Sequence, residues 1–271
     1  MPATLATWVH IYLTPALITT LLWGSLTMAL MWLNRRGAGP ARWSLLFTIP
    51  VLLLAHHQLW AVRYSTDVTS IYVAFVAGML IWTWHELAFY SGLITGPWRE
   101  PCPLHAKGWD RFCYALGTHL YHEVAVAVEA ALLWWLFHDA VNVIGALTFV
   151  LLWALQHSAK LNVLLGVRSL DVAALPKHLR YLGSFWTQRA LNVFFIPAMT
   201  VMIIVTIGLW VQVGLHVPHD HAIALTLLAT LLTLGVLEHG LLVVPALVGP
   251  HAAVVPPSSR ADISHLNNYP D

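Results

Sequence analysis

Charge is what this chain has least of. Of 271 residues, 59% are hydrophobic and only 9% are Asp, Glu, Lys or Arg, against about 25% charged in an average soluble domain. With a mean hydropathy of +0.71, that shortage excludes an ordinary water-soluble globule and leaves a polytopic membrane protein. Cysteine is nearly absent too: Cys102 and Cys113 are too few and too separated for a disulfide framework or a zinc ribbon. The net charge of +1 comes from scattered Lys and Arg with no basic stripe, which excludes nucleic acid as a partner. No Gly-rich phosphate cradle, Gly-x-Ser-x-Gly nucleophile elbow, internal repeat or low-complexity run is present. Residues 1–8 lack a basic start and a small-residue cleavage site, so no cleavable signal peptide is expected.

Long apolar runs fill the chain instead. Seven stretches of about 20 residues each suffice to cross a bilayer: 11–33, 43–62, 70–95, 112–137, 140–163, 190–214 and 222–248. Breakers such as Gly37-Ala38-Gly39-Pro40, Gly96-Pro97, Leu175-Pro176 and Val217-Pro218 separate them. The expected fold is all-α, a polytopic membrane helix bundle over residues 1–249 with an irregular tail over 250–271. Several of the 14 Trp, among them Trp43, Trp60, Trp109 and Trp135, stand near run ends, as an interfacial belt in the lipid bilayer requires.

Basic residues orient the bundle. Of 13 Lys and Arg, only Arg63 falls outside the first, third and fifth connections, their flanks and the tail. By the positive-inside rule this puts the N-terminus in the periplasm and the C-terminus in the cytoplasm. In the third cytoplasmic loop, 175–182 reads either as a short amphipathic interfacial helix or as an ordinary connector.

Against this apolar background three ionisable pairs stand out: His85-Glu86, His122-Glu123 and Glu238-His239. An ionisable group at membrane depth is costly, on the order of 2.5–3.5 kcal/mol on insertion scales, so each calls for a partner, a cavity or a metal. Counted from the cytoplasmic ends at about 1.5 Å per residue, these pairs, His119 and His157 fall in one slab. On a single fourth helix, His119, His122 and Glu123 share a face. The set His85, Glu86, His119, His122, Glu123, His157, Glu238 and His239 is therefore the candidate metal site, with His85, His122 and His239 as the cofactor-binding core. Imidazole and carboxylate together suit non-haem iron, one or two ions. Haem, needing one or two axial His, is the rival. Glu-His hydrogen bonds between helices would satisfy the same residues without metal.

Outside the slab, His56-His57 lies in the outer half, where Glu129 is placed to pair with it across the bundle. The periplasmic group His216, His219, Asp220 and His221 has ligand residue types in a short, solvated loop. Lys160, near the cytoplasmic end of the fifth helix, is expected to snorkel to the interface.

Taken in order, Trp84-His85-Glu86, Gly92-Leu93-Ile94-Thr95-Gly96-Pro97, Cys102-Pro103, Arg111-Phe112, His122-Glu123, Ser158-Ala159-Lys160-Leu161-Asn162, Leu165-Gly166-Val167, Leu175-Pro176, His178-Leu179-Arg180-Tyr181-Leu182 and Leu237-Glu238-His239 resemble the photosynthetic complex assembly protein PuhE family of purple phototrophic bacteria. The resemblance spans nearly the whole chain; His56-His57 and Gly240 depart from the family pattern. It implies a multi-pass protein of the bacterial inner (intracytoplasmic) membrane. Its implied role is assembly of the photosynthetic reaction centre and core antenna, or bacteriochlorophyll supply, with reaction-centre or core-antenna subunits and bacteriochlorophyll as partners. The alternatives are a membrane non-haem iron enzyme, an oxygenase or desaturase acting on a pigment, isoprenoid or lipid, and a haem-binding membrane protein. A His of the core would also suit the magnesium of bacteriochlorophyll. No catalytic residue carries over from the resemblance, so catalytic residues stay unassigned.

Overall fold

The computed structural model describes residues 5–168, 172, 175–215 and 218–243. The expected tail over 250–271 and His216 lie outside the described residues. Helices account for every crossing segment: α1 (Leu5–Arg35), α2 (Ala38–Phe47), α3 (Ile49–Val62), α4 (Val68–Tyr90), α5 (Gly108–Gly117), α6 (Leu120–Phe137), α7 (Ile144–Leu165), α8 (Phe195–Gly214) and α9 (His219–Leu241). Six are long and apolar enough to cross a membrane, and seven when α2 and α3 count as one bent span. Among the described residues the only β pairing is an isolated bridge between Val167 and Gln188.

Two of the expected continuous helices are broken. The second starts earlier, at Ala38, and bends by 41° between α2 and α3. Pro50 cannot donate to the preceding turn, and Thr48 at the bend turns its hydroxyl back onto Ser44 O at 2.8 Å. The fourth splits at Thr118-His119 into α5 and α6. There the 91–98 loop takes over the backbone pairing: Trp98 N donates to Gly117 O and His122 N to Thr95 O, at 3.1 and 3.0 Å. Gly96 makes that approach feasible, since a Cβ there would lie 2.7 Å from the carbonyl carbon of Thr118.

α4 is the axis of the bundle. Asp67 caps its start, accepting from Ser70 N at 3.1 Å. Gly92, at φ +72°, ends it in the left-handed conformation that glycine adopts freely. Around it pack α3 and α7, then α9, α2 and α6. Its crossing with α7 is backbone on backbone: a Cβ on Gly78 would come within 3.0 Å of Gly145 Cα, and one on Gly145 within 2.6 Å of Ala74 O. Small residues at a crossing let membrane helices approach closely. The core around this crossing holds Phe75, Ile81, Val126, Leu133, Phe149 and Leu227, all buried. By contrast α1 and α8 leave about half of their apolar side chains exposed, among them Leu21, Met28, Ile204 and Ile207; in a bilayer these faces contact lipid.

The 175–182 segment packs against the end of α4. It lies in a 3-10 helix, Lys177–Phe185, that buries Leu179 and Phe185. His178 Nε2 donates to Tyr90 O at 2.9 Å, and Arg111 of α5 donates to Phe185 O and Thr187 Oγ1. The last span also differs from expectation, beginning at His219 and closing at Leu241.

Candidate functional site: a buried His and Glu network beside a cavity

His85 and Glu86 of α4 look outward from the bundle axis, His85 to Glu129 of α6 and Glu86 to His122 of α6 and Gln156 of α7. His85 and Glu86 are both buried, at 5% and 6% exposure, and the roughly 100° turn between neighbours sends them to separate partners.

On one side, Glu129 of α6 joins two helices. Its Oε1 lies 2.7 Å from His56 Nε2 and its Oε2 lies 3.4 Å from His85 Nε2. The expected His56–Glu129 pair is therefore present. His56 Nδ1 also faces an acceptor, Leu52 O, at 2.9 Å. With acceptors at both ring nitrogens, one proton is held between His56 and Glu129. Glu129 was the site member that depth counting missed: placed in the outer half, it still reaches His85.

On the other side, Glu86 Oε2 accepts from Gln156 Nε2 of α7 at 3.2 Å. Its Oε1 stands 3.8 Å from His122 Nε2, and His122 Nδ1 stands 3.7 Å from Glu123 Oε1. His122 is thus buried between two carboxylates, just outside hydrogen-bond range of each, with its ring against Phe89 at 5.1 Å between centroids. Glu123 is the best-served acid: Lys160 Nζ donates at 2.7 Å, His157 Nε2 lies at 3.3 Å and Trp153 Nε1 at 3.5 Å.

Three expectations are corrected here. Lys160 does not snorkel; it turns inward to Glu123, because an unpaired buried carboxylate costs more than holding the ammonium back from the interface. His119 does not share a helical face with His122 and Glu123. It sits at the α5–α6 break at φ −134°, its Nδ1 3.1 Å from Thr118 Oγ1. His239 is buried, but its Nδ1 donates to Gly235 O within α9 at 2.8 Å, and no hydrogen bond or ion pair joins it to His85 or His122 among the described residues. Glu238 faces a cavity instead.

The donor types suit iron, and six buried atoms of the candidate residues lack a hydrogen-bond partner among the described residues: His85 Nδ1, Glu86 Oε1, both ring nitrogens of His122, His157 Nδ1 and His239 Nε2. In the geometry seen, however, the His and Glu side chains face one another in pairs. Among the described residues no three His, Cys, Asp or Glu converge as a metal-ligand group. This covers His219, Asp220 and His221 as well, which lie in the first turn of α9.

Beside the network lies an open-mouthed cavity of about 1060 Å³ lined by α1, α4, α7, α9 and the 3-10 helix. Glu86 belongs to both: one face meets His122, the other lines the cavity with Tyr90, Gln156 and Glu238.

Apolar spans, close glycine crossings and internally paired charges define a multi-pass membrane helix bundle with a polar core. The chain belongs to the family described as protein of unknown function (DUF3623), which matches over residues 9–249. It is 33% identical over 239 residues to an uncharacterized 30.4 kDa protein in the puhA 5' region of Rhodobacter capsulatus, with 85% of each chain covered. No solved structure matches it.

Proposed function

We propose that this protein is a photosynthetic membrane factor of the PuhE type, acting in assembly of the reaction centre and core antenna or in bacteriochlorophyll supply from the inner membrane. The observation that carries this reading is the relative named for its place in the puhA 5' region, similar over 85% of both chains. The geometry is compatible with it. A cavity of about 1060 Å³ is at the top of the ~300–1,000 Å³ range of small-molecule sites, and His and Glu side chains that face one another inside the bundle suit a protein held in lipid. Deletion of the gene in a phototroph tests it: assembled reaction centre and core antenna should fall while their transcripts persist. Normal levels of both complexes would sink the reading. Accumulation of free bacteriochlorophyll in the deletion strain points to assembly; its depletion points to pigment supply.

A second reading, a non-haem iron enzyme, draws support from the unpartnered atoms of His85, Glu86 and His122. Those residues with Glu123 and His157 would supply the ligands, and bound iron would supply oxygen activation. Elemental analysis and an absorption spectrum of protein purified without chelators decide: iron without a Soret band supports the enzyme, a Soret band means haem, and near-infrared absorption means bacteriochlorophyll.

A further inference from the structure

The large cavity is layered along the helices. At one end its rim carries Arg35 and Arg36 from the close of α1 and Lys177 and Arg180 from the 3-10 helix. Arg36 lies over the Trp32 ring at 4.0 Å. Among the described residues Lys160 is the only Lys or Arg in an ion pair with a carboxylate, so no described carboxylate lies within 4 Å of the rim cations. Next comes a polar belt, with Glu86, Tyr90, Gln156 and Glu238 on the wall. Deeper still the lining turns apolar: Trp23 of α1, Met79 and Trp82 of α4, Leu152 of α7 and Leu231 of α9. Met79 is 11 residues from Tyr90 at the rim end of α4, about 16 Å at ~1.5 Å per residue.

We propose that this cavity binds a lipid bearing a phosphate head group, with the phosphate at the Arg35–Arg180 rim and the hydrocarbon chain against Trp23, Met79 and Leu231. Guanidinium groups form paired, charge-assisted hydrogen bonds with phosphate oxygens. Rim cations on two separate elements clamp one head group from two sides. The order of the lining sets the polarity of insertion: the charged end stays among the rim cations and the apolar end passes the polar belt to the apolar floor. Hydroxyl or ester groups next to the phosphate meet Gln156 and Tyr90. The apolar floor accommodates chain carbons in an apolar lining, which favours a long-chain phosphate over a short phosphate ester. This chemistry is independent of the photosynthetic reading, and either can fail without the other.

The test uses the purified full chain in neutral detergent, with quenching of Trp23, Trp82 and Trp186, which line the cavity, as the signal. Farnesyl phosphate is the probe and farnesol its uncharged control. Saturable binding of farnesyl phosphate, with farnesol weaker by about tenfold or more, is the expected result for loss of charge-assisted bonds. R35Q/R180Q should erase that difference. T83W, at a half-buried wall position, should remove binding of the phosphate while leaving the melting temperature close to that of the parent, which separates a filled cavity from a misfolded chain. Competition identifies the source of the ligand: displacement by phosphatidylglycerol in phosphatidylcholine nanodiscs identifies a bilayer phospholipid, and no displacement identifies a free polyprenyl phosphate. Equal binding of farnesol and farnesyl phosphate, or binding unchanged in R35Q/R180Q and T83W, overturns the proposal.

Discussion

Lys160 Nζ on α7 lies 2.7 Å from Glu123 Oε1 on α6, joining two helices inside the apolar region. Both side chains are mostly buried, at 21% and 11% exposure, so each is the other's substitute for water.

Breaking that pair strands a charge. E123Q or K160M alone should destabilise the bundle by up to about 3 kcal/mol, and the double variant should recover a large part of the loss. Thermal melts of the four proteins in detergent give the coupling directly. Additive losses in the double variant would show that Lys160 reaches the interface after all.

Glu129 serves two imidazoles at once. E129L leaves His56 Nε2 and His85 Nε2 without their acceptor and should cost roughly 1–3 kcal/mol. Adding H56L should restore part of it. A melt of E129L matching the parent would mean that neither ring depends on the carboxylate.

The α4–α7 crossing tolerates no side chain. G78L forces Cβ and Cδ atoms into Gly145 and should prevent folding, and G145A should destabilise by about 1–3 kcal/mol through overpacking. Gly208 on α8 has open space around its Cα, so G208A serves as the control with a melting temperature near that of the parent.

Asp67 makes the start of α4 pH-sensitive. Bonds from Ser65 Oγ, Ser70 Oγ and Ser70 N to the carboxylate draw its pKa down from 3.8 to about 2. A depressed folded-state value means that the stabilisation is complete above pH 3.8, the ordinary value, and fades as pH falls toward 2. D67N keeps a capping oxygen without a titrating group. Its melting temperature should therefore be flatter than that of the parent between pH 5 and about 2.5. Parallel curves for the two proteins would remove Asp67 from the acid response.

The amino-acid sequence by itself determined the spans and the punctuation between them. Hydropathy is a property along the chain, so seven apolar runs and the placing of Trp43, Trp60 and Trp135 near their ends could be read from order alone, while the Asp67 cap and the Gly92 turn that bound α4 at Val68–Tyr90 came from the structure. The burial of His85, Glu86, His122 and His239 followed from the same logic, because ionisable groups in an apolar helix avoid lipid. The His56–Glu129 pair was legible because the two stand at matching depth. What only the tertiary structure decided was who meets whom. Partner choice depends on the rotation of each helix and on its neighbours, and these are set far from the pairs, at the Gly78–Gly145 crossing and under Gly96. That packing sent His85 to Glu129 and Glu86 to His122, drew Lys160 inward to Glu123, and left His239 bonded within its own helix. It also broke the fourth span at His119, since the 91–98 loop offers Thr95 O and Trp98 N to backbone groups that a continuous helix would have paired internally.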